Sequence, residues 1–154
     1  MAENILYKTA LSKAMHLCSS REWCKSDIRQ KLISWGVGPD EAEKILEILI
    51  WDKYIDEMRY AAAFTGDKFR YYKWGKIKIG SALRLKKIPS GIISHALQSI
   101  DGNEYIELLK SIIEKQRKSV KAKNQYDLNG KILRHCLSKG FESELIYEIL
   151  NLED

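Results

Sequence analysis

The sequence predicts an all-α fold, an elongated tandem array of three three-helix repeats, and three observations predict it. First, a pattern comes round three times. Ile28, Leu32, Gly36, Val37, Ala42 and Leu46 recur as Ile79, Leu83, Lys87, Ile88, Ile93 and Leu97, then as Ile132, Cys136, Gly140, Phe141, Ile146 and Leu150, at offsets of 51 and 53 residues. Second, apolar residues fall at helical spacing, as in Leu11, Ala14, Met15 and Cys18, in Ala42, Ile45, Leu46 and Leu49, and in Tyr105, Leu109, Ile112 and Ile113. That is one stripe of a 3.6-residue period, and no segment alternates as a strand would. Third, Gly36 and Gly140 stand in one column of the repeat, where a helix ends and left-handed backbone is needed. An array of this kind offers a long surface to a partner rather than one closed pocket.

The elements follow in order. The first unit, residues 1–55, reads as helices over Ile5–Ser19, Ser26–Trp35 and Pro39–Asp52, with Pro39 in a first turn where its missing N–H costs nothing. The second, residues 56–102, opens on Asp56 as N-cap with Glu57 in the first turn. Its first helix runs to about Tyr72, breaks at Trp74-Gly75, resumes through Lys87, turns at Ile88-Pro89-Ser90 and ends near Ile100. At Lys87 either the helix ends differently from its counterparts or lysine takes a costly left-handed backbone. Asp101-Gly102-Asn103 reads as a turn-rich joint. The third unit, residues 103–154, then spans helices over Glu104–Lys123, Asp127–Lys139 and Ser143–Leu152.

Composition narrows the function classes. With 154 residues, 45% hydrophobic and 31% charged, the chain can bury a core without staples, and no apolar run approaches the ~20 residues that cross a bilayer. The first eleven residues carry neither a basic n-region nor an apolar h-region, so the expected location is the cytoplasm. Cys18, Cys24 and Cys136 do not form a paired disulfide framework, and reduced thiols are expected.

Catalytic material is sparse. His16, His95 and His135 are scattered, and no serine or cysteine near them sits in a nucleophile motif. Cys18 lies on an apolar stripe and Cys136 in the column of Leu32 and Leu83, both places for a small buried hydrophobe. Gly75-Lys76-Ile77-Lys78-Ile79-Gly80 has the glycine spacing of a phosphate loop but is followed by Ser81-Ala82 rather than Lys-Ser/Thr, with no strand leading in. Asp56 and Glu57 are explained by helix capping. No enzyme activity, metal or cofactor is expected.

The net charge of +5 is concentrated. Between Lys68 and Ile100 there is no Asp or Glu, while Lys68, Arg70, Lys73, Lys76, Lys78, Arg84, Lys86 and Lys87 supply eight positive charges. Such a block is the footprint of an anionic partner, most simply nucleic acid. Phe69, Tyr71, Tyr72 and Trp74 are interleaved with it, so phosphate neutralisation could be combined with stacking on bases. Burial is expected for Phe69 and Trp74 and exposure for Tyr71 and Tyr72; the same aromatics could instead form the seam between units one and two. A second basic run, Lys115, Arg117, Lys118, Lys121 and Lys123, would extend one concave track if it faced the same way.

The stretch Tyr54-Ile55-Asp56-Glu57-Met58-Arg59-Tyr60-Ala61-Ala62-Ala63-Phe64, then Lys73-Trp74-Gly75-Lys76-Ile77-Lys78-Ile79, Leu83 and Lys86-Lys87-Ile88, resembles the RecX family of recombinase regulators. The family pattern is an acidic pair, a Tyr/Phe-Ala and Phe helix, a Gly-x-x-x-Ile step and a Leu-x-x-Lys-Gly-Ile turn. Upstream, Ser20-Arg21-Glu22 and Asp27-Ile28 to Leu32 resemble the family's arginine-led approach to the second helix, and the resemblance covers essentially the whole chain. The departures are Trp23 and Cys24 where a second arginine and a serine are common, and Lys87 where glycine is usual.

The resemblance implies a monomer that binds the nucleoprotein filament of the RecA recombinase along its groove. There it would limit filament extension, ATP hydrolysis, strand exchange and coprotease activity. Single- or double-stranded DNA is a further partner, and no membrane is involved. The binding residues expected are Lys68, Arg70, Tyr71, Tyr72, Lys73, Lys76, Lys78, Arg84, Lys86, Lys87, Arg117, Lys118 and Lys121. The competing expectation is an autonomous DNA-binding helical protein, since three short helices with a basic second one are compatible with helix-turn-helix modules.

Overall fold

The repeat columns become the buried spine of the molecule. In the computed structural model, which describes residues 2–151 with side chains from residue 4, Ile28, Leu32, Ile79, Leu83, Ile132 and Cys136 are all 0% exposed. Nine helices and no strand occur among the described residues. They are α1 (Ala2–Ser20), α2 (Lys25–Ser34) and α3 (Pro39–Trp51) in the first unit, and α4 (Glu57–Arg70), α5 (Lys76–Leu85) and α6 (Ser90–Gln98) in the second. The third unit holds α7 (Gly102–Ser119), α8 (Gln125–Ser138) and α9 (Ser143–Leu150). The accessible surface is 10040 Å², against roughly 8,000 Å² for a compact monomer of this mass, as an extended array requires.

Each second helix ends in the same way. Gly36, Lys87 and Gly140 have φ of 91°, 62° and 94°. The next residue turns back to a carbonyl five positions earlier: Val37 N–H donates to Leu32 O (3.1 Å), Ile88 to Leu83 O (3.2 Å) and Phe141 to Cys136 O (3.2 Å). This is a Schellman close, and it drops Val37, Ile88 and Phe141 into the core. The middle unit therefore takes the left-handed alternative at Lys87, with lysine in a conformation that costs an L-residue about 1 kcal/mol. Lys87→Gly is expected to stabilise the protein by about 1 kcal/mol in urea titrations; a loss of stability would show that the Lys87 side chain holds the turn.

Capping sets the remaining boundaries. The Asp56 carboxylate accepts from Arg59 N–H (3.1 Å), so α4 opens where the sequence places it. Asp101 caps Glu104 N–H (2.9 Å), which draws Gly102 and Asn103 into the first turn of α7 rather than a loop. The α7 helix stops at Ser119, short of Lys123, because the next residues build the start of α8. Asn124 accepts from Asp127 N–H (2.8 Å), and the Asp127 carboxylate accepts from Lys123 N–H (3.0 Å). The last helix ends at Leu150, short of the expected Leu152, because Asn151 turns left-handed at φ of 58°; Leu152 itself lies outside the described residues.

Two cores run through the array. Unit one packs Ala10, Ala14, Ile28, Leu32, Ile45 and Leu49 around itself. Units two and three share one core, which also receives Cys24 from the start of α2. Phe69 stacks on Tyr105 (6.1 Å between centroids), and Tyr105 meets Phe141 at a tilt of 42° (5.2 Å). The aromatic seam thus joins unit two to unit three, not to unit one, because α7 carries the tyrosine that Phe69 meets.

Candidate functional site

The start of every second helix is an anion-seeking helix N-terminus, with amide N–H groups that no intrahelical carbonyl can reach. In units one and two the residue before it, Cys24 or Gly75, makes no side-chain cap. Both starts are instead capped by the following unit. Lys25 N–H donates to the Glu57 carboxylate (3.2 Å) and the Ser26 hydroxyl to Lys86 O (2.8 Å). One unit further on, Gly75 N–H donates to Lys139 O (2.7 Å), Ile77 N–H to Gly140 O (3.0 Å) and Lys76 N–H to the Tyr105 hydroxyl (3.0 Å). The Tyr105 hydroxyl in turn donates to Glu142. Lys25 and Lys76 are related by the 51-residue offset and Lys86 and Lys139 by the 53-residue offset, while the groups that reach them differ: Glu57 and Ser26 side chains in the first joint, the Tyr105 hydroxyl and main-chain amides in the second.

The joints gather the cations that the sequence singles out. Lys86 lies in the first joint, its ammonium bonded to both Asp27 oxygens at 3.1 Å, beside the Arg59–Glu22 pair at 3.0 Å. Lys68, Lys73, Lys76 and Lys78 collect around the second. The Lys68 ammonium stands 4.2 Å from the Tyr72 ring and 4.8 Å from Trp74, and the Lys78 ammonium 4.6 Å from Trp74, so two lysines flank one indole. Lys76 stands 4.8 Å from the Tyr105 ring. Lys73 has φ of 59°, ending α4 sharply and sending Trp74 back against the core.

The aromatics divide as expected, with Phe69 buried, Trp74 half-buried, and Tyr71 and Tyr72 exposed at 77% and 56%. Arg70, Arg84 and Lys87 are exposed on the second unit, Arg84 within 3.2 Å of the Ser81 hydroxyl. Arg117 pairs with Glu114 at 2.7 Å; Lys118 and Lys121 are exposed. No hydrogen bond or ion pair among the described residues links these last three to the middle unit.

The structure adds one residue that sequence reasoning missed. Lys139, one position before the Gly140 column just as Lys86 precedes Lys87, extends its ammonium to Tyr72 O (2.8 Å). Burial, then Lys78 and Lys73, holds it below the usual lysine range. Burial, then Lys139 and Lys115, does the same to the His135 imidazole. Burial raises the Cys136 thiol to about 11, and burial followed by Glu142 raises the Tyr105 hydroxyl. No helix among the described residues is long and apolar enough to cross a membrane.

Comparison with known proteins agrees with this architecture. Residues 56–97 match the second three-helix domain of RecX and residues 103–150 match the third. "Regulatory protein RecX" of Haemophilus ducreyi is 29% identical over 150 residues, covering 95% of this chain and 93% of that protein. The protein of the same name from Geobacillus thermodenitrificans is 25% identical over 143 residues; the chain spans about half of that relative's length, 53%. A solved structure, "Crystal structure of regulatory protein RecX", superposes with a TM-score of 0.88 at 26% identity, covering 99% of this chain and 74% of that one. With two consecutive family domains over more than half its length and the same helical array from end to end, the chain belongs to the RecX family of regulatory proteins, not to an enzyme family.

Proposed function

We propose that this chain binds the RecA recombinase filament and inhibits filament extension, ATP hydrolysis and strand exchange, acting in the cytoplasm as a monomer and so modulating DNA repair and recombination. The observation that carries this reading is the placement of the cations on an extended, repeated scaffold. A polymer is gripped by linked weak contacts, because each unit already bound raises the effective concentration of the next. Lys68, Arg70, Tyr71, Tyr72, Lys73, Lys76, Lys78, Arg84 and Lys87 form the central contact in this reading, and Arg117, Lys118 and Lys121 a peripheral one. Lys86, paired with Asp27, serves the surface by holding the first joint.

The triple variant Arg70→Glu, Arg84→Glu, Lys87→Glu tests the proposal without touching either joint. Inhibition of single-stranded-DNA-dependent ATP hydrolysis by RecA should need at least about tenfold more protein, a loss of about 1.4 kcal/mol of binding. Unchanged inhibition would overturn the assignment.

Autonomous DNA binding makes a different forecast. With Lys86 neutralised by Asp27, the other seven cations of the block give a limiting slope of log K on log salt of about −6 for duplex and about −5 for single strands. A slope near −2 in the absence of recombinase would remove DNA as the main target.

A further inference from the structure

The two joints fall at corresponding places in the repeat, with Lys86 O and Lys139 O each accepting a hydrogen bond there, and they differ in charge. At the repeat offset, Glu22 corresponds to Lys73, Trp23 to Trp74, Asp27 to Lys78 and Leu17 to Lys68, while Lys86 corresponds to Lys139. In the first joint both acids are paired, Glu22 with Arg59 and Asp27 with Lys86. In the second, both acids have become lysines and the lysine opposite them has stayed.

Their ammonium groups reach only neutral partners. Lys78 donates to Ser138 O (3.3 Å) and Lys139 to Tyr72 O (2.8 Å), while Lys68 and Lys78 flank the Trp74 ring. Among the described residues, no carboxylate lies within ion-pair distance of Lys68, Lys73, Lys78 or Lys139. Glu142, the acid of this joint, takes the Tyr105 hydroxyl instead. Backbone packing forces the crowding: a Cβ at Gly140 would lie 2.2 Å from Lys78 Cβ, so Lys78 and Lys139 cannot separate without opening the joint.

We propose that the joint between the second and third units is a phosphate-binding site, which takes phosphodiester groups of a nucleic acid strand and is clamped shut when they bind. A single carboxylate would neutralise one ammonium, as Asp27 does for Lys86. A phosphodiester presents two non-bridging oxygens that several ammonium groups can share, each lysine keeping donors to spare. The strand brings its next phosphate along, and the exposed face of Tyr72 beside the cluster offers a platform for a base. The bound anion replaces the counter-charge that Glu22 and Asp27 supply in the first joint, so occupancy and closure are linked. The site deepens the proposed function by naming the ligand of the central cations, and it rests on joint geometry that needs no recombinase.

The test uses the full chain alone. Its melting temperature is followed against sodium tripolyphosphate at constant ionic strength, and its affinity for a fluorescently labelled oligothymidylate is measured by polarisation. Tripolyphosphate should raise the melting temperature of the native chain. The double variant Lys73→Glu, Lys78→Asp, which gives the second joint the acids of the first, should melt higher than the native chain without ligand. It should also lose the tripolyphosphate response and bind the oligonucleotide at least about tenfold more weakly. Lys139→Gln, a milder change, should show the same losses should the double variant fail to fold.

An undiminished tripolyphosphate response in these variants would overturn the site. So would stabilisation by polyglutamate with none by tripolyphosphate, which would assign the joint to an acidic protein surface. A tripolyphosphate response with unaltered oligonucleotide affinity in the variants would restrict the site to free phosphate compounds and overturn the nucleic acid assignment. Since recombinase is absent, failure here leaves the filament proposal standing, and failure of the ATPase assay leaves this one standing.

Discussion

Gly140→Ala is expected to destabilise the protein by about 3 kcal/mol, while Gly36→Ala, in the same column of the repeat, costs about 1 kcal/mol. Both glycines are left-handed, at φ of 94° and 91°, so both substitutions carry the same backbone penalty. Their surroundings differ. Nothing lies within 4 Å of a Cβ at Gly36, whereas one at Gly140 would fall 2.2 Å from Lys78 Cβ and 2.7 Å from Lys78 N.

The added methyl must therefore push α5 away from the end of α8. That breaks the bonds from Gly75 N–H to Lys139 O and from Ile77 N–H to Gly140 O, each contributing about 1 kcal/mol. Gly75→Ala should be comparably costly, with a Cβ 2.4 Å from the Gly140 carbonyl carbon and oxygen. Urea titration measures the costs, and amide exchange locates them. Protection of Gly75 and Ile77 should fall while that of Val37 in unit one persists. Equal costs at Gly36 and Gly140 would show that close approach of the units is not what requires glycine.

Tyr105→Phe should cost about 2 kcal/mol, although it removes one oxygen atom. The ring is 3% exposed and keeps its stacking on Phe69 and its tilted contact with Phe141 in the variant. What disappears is the acceptor for Lys76 N–H, an orphan donor in the first turn of α5 with no cap of its own, and the donor to the half-buried Glu142 carboxylate. A melting temperature within a degree of the native chain would show that water replaces the hydroxyl without loss. A marked drop, undone by no change on α5, would establish Tyr105 as the cap that one unit lends to another.

The sequence told a good deal about the units and little about their joints. Ile28, Leu32, Ile79, Leu83, Ile132 and Cys136 were legible as core because a 3.6-residue stripe, repeated at fixed offset, has only one face to bury. Asp56 was legible as a cap because its role depends on an amide three residues away. Lys86 and Lys78 were not separable, both being lysines of one acid-free stretch. Their fates depend on Asp27 and Ser138, 59 and 60 residues distant. Lys139 escaped notice for the same reason.

By itself, then, the sequence determined the helical class, the threefold repeat, the buried columns and the family, because each is written in local spacing or in the recurrence of that spacing. The tertiary structure alone decided that the aromatic seam joins units two and three, that Tyr105 caps α5, and that one joint is neutralised while the other holds lysines with no ion pair among the described residues. Those outcomes depend on which residues distant in the chain are pressed together, and that follows from the docking of one unit on the next.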